Sequence, residues 1–128
     1  MTLIERVIAG PGSRELSDEV LLACGWTRRE EPLTVLDGVP QAVAIIWADT
    51  DGRRVFEAPS PTESIDDALR LVPDGWFWRV GRSTLYAGWA HLNRKHPNHC
   101  DEGDEFSANA ASPPLALTAA ALRARMEG

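Results

Sequence analysis

At 128 residues, 44% of them hydrophobic and 25% charged, the chain is long enough for one domain with one core and too short for two ordinary ones. A domain of this size buries about two-thirds of its unfolded surface and needs neither metal nor disulfide to fold. The net charge of −6 argues against the basic stripe of a duplex nucleic-acid binder and against attraction to anionic membranes.

Lys95 is the only lysine; every other basic residue is arginine. Cys24 and Cys100 form no CxxC pair and no secreted disulfide framework. The opening MTLIERVIAGPG has no positive n-region, and no apolar run reaches the roughly 18 residues of a membrane span. The expectation is a cytoplasmic protein with reduced thiols.

Thr2 and Glu5 have the spacing of a capping box, which opens a helix over about 3–9 that stops at Gly10-Pro11-Gly12. Ser13 caps a second helix, about 14–24. Its stripe is Leu16, Val20, Ala23 and Cys24, and Gly25 is its natural stop. Cys24 reads as a small buried hydrophobe. Residues 27–40 are polar and marked by proline and glycine, and read as a connection.

Gln41 to Ala48 is apolar on both alternating faces, the pattern of a central strand covered on both sides. Asp49-Thr50-Asp51-Gly52 is turn chemistry, and Arg53 to Glu57 returns as a second strand, giving a hairpin over about 42–57. Ser64 and Asp67 suggest the cap of a third helix, about 64–72, ended by Pro73-Asp74-Gly75. A second hairpin spans about 76–91. A two-residue turn at Arg82-Ser83 would pair Val80 with Leu85, Trp78 with Ala87 and Trp76 with Trp89, on one apolar and buried face. The other face would carry Phe77, Arg79 and Tyr86, with Arg79 opposite Tyr86 as a cation–π pair or part of an interface. Residues 93–112 are polar, and Ser112-Pro113-Pro114 opens a last helix, about 114–126, lined by Leu115, Ala119, Leu122 and Met126.

The densest polar cluster runs from His91 to Glu105. His96, His99 and Cys100 are donors of the kind that hold zinc, but their spacing lacks a second half-site. The acids Asp101, Glu102, Asp104 and Glu105 suit a basic partner if they are more than a solvated loop. No Walker loop, GxGxxG or nucleophile elbow occurs. No catalytic residue and no cofactor is assigned.

Three segments carry a resemblance: Arg14 to Trp26, Ser64 to Trp76, and Ser112 to Arg125. The most specific is the middle one, a helix ending Leu-Val-Pro-Asp-Gly-Trp that runs into an aromatic strand. Together, in this order, they resemble the phage ABA sandwich domain family, small phage and prophage proteins with helices on both sides of a sheet. The resemblance implies a fold and a phage setting but no functional residue, because the family has no assigned activity.

The expectation is therefore a single α+β domain over 1–128. It is an α-β-α sandwich whose mainly antiparallel sheet comes from two hairpins, with four helices. Its expected role is that of a non-enzymatic phage or prophage accessory protein in the bacterial cytoplasm. It would bind an unidentified protein, or itself as a homo-oligomer, through Phe77, Arg79, Tyr86 and the acids 101–105. The alternatives are a small metal-dependent enzyme using loop 91–105 and a sponge-like binder of a nucleotide or other small ligand.

Overall fold

A computed structural model describes residues 1–94 and 105–127. The chain is α+β, with helices α1 (Leu3–Ala9), α2 (Arg14–Ala23), α3 (Ile65–Leu69) and α4 (Pro113–Glu127). Its strands are β1 (Thr27–Leu36), β2 (Val39–Ala48), β3 (Arg54–Val55), β4 (Trp76–Gly81), β5 (Gly88–Arg94) and β6 (Glu105–Ala110). They form two antiparallel three-stranded sheets, β1-β2-β3 and β4-β5-β6, rather than one sheet built from both hairpins. The chain divides into two compact units, residues 1–20 with 59–128, and residues 21–58.

In the first unit, α4 packs on β5 and β6 and also on α1 and α3. Leu115 to Leu122 are all buried, so the helix is apolar on every side, as a helix enclosed by other elements must be. It was expected to bury one stripe ending in Met126, but Met126 is exposed at the last turn. The buried part of the sheet face toward α4 is Ala90, Leu92 and Ala108, with Gly88 at its end. A Cβ on Gly88 would lie 2.2 Å from the carbonyl carbon of Ser112, so the entry to α4 touches bare backbone there.

The caps follow the sequence reading. Thr2 and Glu5 exchange the reciprocal bonds of a capping box. The Ser13 hydroxyl accepts from the Leu16 amide at 3.0 Å, and the Ser64 hydroxyl accepts from the Asp67 amide at 3.3 Å. The third helix ends at Leu69 rather than 72. The chain continues in tighter turns, with the amides of Leu71 and Val72 donating to Ala68 and Leu69, and Arg125 Nε donates to the Leu71 carbonyl at 2.6 Å.

The second unit starts where α2 ends. Gly25, at φ +93, lets the Trp26 amide donate back to Leu21 at 3.0 Å and stops the helix. The polar stretch expected as a connection is largely strand. β1 pairs with β2 from Thr27↔Ala48 to Leu36↔Val39 around a two-residue turn, Asp37-Gly38, in which both residues have positive φ. The expected 42–57 hairpin survives only as its base, Trp47↔Val55 and Ala48↔Arg54, closed by Asp49, whose carboxylate accepts from the amides of Asp51 and Arg53.

Candidate functional site

The second hairpin has a different register from the one expected. Val80 pairs with Ala90, Trp78 with Leu92 and Trp76 with Arg94. The connection from Arg82 to Ala87 is longer than two residues, and β5 slides by an odd number of positions, which turns its side chains to the opposite faces. Two corrections follow. Trp89 does not share a face with Trp76 and Trp78, and Trp78 is 46% exposed rather than core. Arg79 opposes His91, not Tyr86. Tyr86 lies in the connection, with its amide donating to the Ser83 hydroxyl at 3.2 Å and its carbonyl accepting from the Ser83 amide at 3.0 Å.

The register sets three rows across the sheet face that points away from α4: Phe77–Asn93–Glu105, Arg79–His91–Ser107 and Gly81–Trp89–Asn109. Phe77 is 51% exposed, and Arg79, Glu105, Ser107 and Asn109 are also exposed. Trp89 and His91 are half-buried. The Trp89 indole lies over Gly81, where a Cβ would come within 3.1 Å of the ring, so the glycine is what lets the indole lie flat on the sheet. The face thus presents two aromatic rings and a guanidinium around an imidazole, bordered by amides, a hydroxyl and one carboxylate. Such a surface can stack, donate charge-assisted hydrogen bonds to a carboxylate and bury apolar area. On the opposite face Arg94 sits 4.7 Å above the Trp76 ring, and Trp76 meets Phe106 at 5.7 Å between centroids.

Of the sequence-derived candidates, Phe77, Arg79 and Glu105 come together on this face and Tyr86 does not. His96, His99, Cys100, Asp101, Glu102 and Asp104 lie outside the described residues. Among the described residues, no three His, Cys, Asp or Glu side chains gather as a metal-binding group. No helix is long and apolar enough to cross a membrane among the described residues.

Sequence reading missed a second surface, on β1-β2-β3. Leu33, Val35, Leu36, Val39, Val43 and Ile45 are all half or more exposed, and Phe56 is fully exposed. A notch of about 370 Å³ is lined by Ile45, Ile46, Arg54, Val55 and Phe56. The Asp37-Gly38 dipeptide was the available signal: Asp-Gly between apolar runs marks a tight hairpin, and it would have converted 27–40 from connection to strand.

Comparison with known protein families, with curated proteins and with solved structures finds no match to this chain.

Proposed function

We propose that this protein is a non-enzymatic phage or prophage accessory protein of the bacterial cytoplasm, related to the ABA sandwich domains, which works by binding another protein. The observation that supports this reading is the outer face of β4-β5-β6, where Phe77, Arg79, Trp89 and His91 share one exposed or half-exposed surface. Aromatic residues and arginine are the types enriched at protein interfaces. The chemistry suits a partner that offers a carboxylate to Arg79 beside an apolar patch for Phe77 and Trp89.

The test is affinity capture from host lysate, with the intact protein as bait and Arg79→Glu and Phe77→Ala as controls. The partner should be retained by the parent chain. It should be weakened by about 30-fold or more in each variant, the effect of losing one hot-spot side chain worth roughly 2 kcal/mol. Equal capture by parent and variants would overturn the reading.

A further inference from the structure

We infer that the partner carboxylate gripped by the outer face of β4-β5-β6 sits between Arg79 and His91, and that binding takes up a proton and so tightens as the pH falls; this rests on the protein-binding role proposed for that face. Arg79 and His91 are directly opposed on neighbouring strands, with Ser107 next in the same row. Opposed side chains leave their strands about 4.5–5.5 Å apart at Cβ, so one carboxylate reaches donors on both. Among the described residues Arg79 belongs to no ion pair, and neither the His91 imidazole nor the Ser107 hydroxyl makes a hydrogen bond. A guanidinium, an imidazole and a hydroxyl in one row, none with an acceptor of its own, form a seat for an oxyanion.

The surroundings favour the carboxylate of an aspartate or glutamate in a protein. Arg79 brings one fixed charge, in a fork that matches two carboxylate oxygens. A phosphate carries nearly twice that charge. Phe77 in the row on one side and Trp89 in the row on the other offer apolar contact to the residues that flank such a side chain.

The proton linkage follows from what faces His91. From β4 it meets Arg79, and from β6 it meets Ser107 directly and Glu105 on the diagonal. Its neighbours along the same face of β5, Trp89 and Asn93, are uncharged. α4 lies on the other side of the sheet, and its Arg123 donates to the Ser107 carbonyl. A neutral imidazole has one N–H to donate, whereas an imidazolium donates from both nitrogens and adds a full charge. A seated carboxylate therefore binds the protonated form more tightly, and by linkage its binding favours proton uptake. Affinity is greatest in mildly acidic solution, where imidazoles are charged, and falls as the pH rises through neutrality.

Benzoate tests the seat, because it joins a carboxylate to a ring and stays ionised at both about pH 6 and about pH 8. It is titrated into the isotope-labelled full chain, with the Arg79 Nε–H and Trp89 Nε1–H resonances as reporters. The parent chain should bind it about threefold or more tightly at the lower pH, within the tenfold per pH unit that one proton allows. His91→Gln should remove this pH dependence, and Arg79→Gln should weaken binding at both pH values by about fivefold or more. Neutral benzamide should leave the Arg79 resonance unmoved. No binding of benzoate, equal affinity at the two pH values, a pH dependence that survives His91→Gln, or tighter binding of benzamide or inorganic phosphate would each overturn the inference. Benzoate bound as expected by a chain that captures no host protein removes the proposed function alone. Capture that needs Arg79 but is the same at both pH values removes the inference alone.

Discussion

Thr62 carries more of the first unit's internal order than its size suggests. Its hydroxyl accepts from the Ser13 amide at 3.1 Å, donates to the Ser13 carbonyl at 3.0 Å and lies 2.6 Å from the Ser17 hydroxyl, while its own amide donates to Ser17 Oγ at 3.2 Å. Ser17 and Thr62 are both fully buried. Gly12 makes room for the contact, since a Cβ there would sit 2.1 Å from the Thr62 carbonyl oxygen. Arg14 holds the same loop from outside, bonding the Pro59 carbonyl, Ser60 Oγ and Asp18. Thr62→Val keeps the shape and deletes the oxygen, so the Ser13 amide and Ser17 hydroxyl lose a partner where water does not replace it. The expected cost is about 2 kcal/mol, within the usual range for a stranded buried polar group. It should be seen as a lower urea midpoint at unchanged slope. None of this knot was legible in the sequence. Ser17 and Thr62 are 45 positions apart, and a buried threonine is spelled like an exposed one.

At the scale of elements, legibility followed whether a signal was local. α1 has the expected 3–9 bounds because capping at Thr2 and Glu5 and termination at Gly10 act within one turn. β4 and β5 were found, but their register was not, because the length of the connection at 82–87 carries no periodic signal. β1 was hidden because it is an exposed edge and so has the polar composition of a loop. β6 was hidden inside a polar run, since only Ala108 of its face is fully buried. α4 was found as a helix and misjudged in its surroundings. Alanine is cheap in any helix, so an alanine-rich segment does not announce that it will be enclosed. Its enclosure makes a sharp contrast. Ala120 has no exposed surface, so Ala120→Leu must displace neighbours and should cost about 1–3 kcal/mol. Met126→Lys, on the exposed last turn, should change stability by less than about 0.5 kcal/mol. Paired denaturation curves of the two variants check the contrast.

On the scale of the whole molecule, apolar burial is shared unequally. Among the described residues, the first unit buries Val7, Leu16, Val20, Ala68, Leu71, Ala90, Leu92 and nearly all of α4, whereas the apolar residues the second buries are Leu21, Cys24, Trp26 and Trp47. Opening free energies within a protein range from near zero to the global value according to how much each segment buries. Amide hydrogen exchange should therefore be slowest in Thr118–Leu122, where it waits for global unfolding, and fast at Leu33–Leu36. The strand Ala42–Ile46 is the informative segment. Its amides alternate between those directed to β1 and those directed to the open side. Among the described residues no strand pairs with amides of the second kind, since β3 meets β2 only at Trp47 and Ala48. Exchange should therefore alternate along Ala42–Ile46, slow at the amides bonded to β1 and fast at the outward ones, and uniform protection through the segment would overturn this edge assignment.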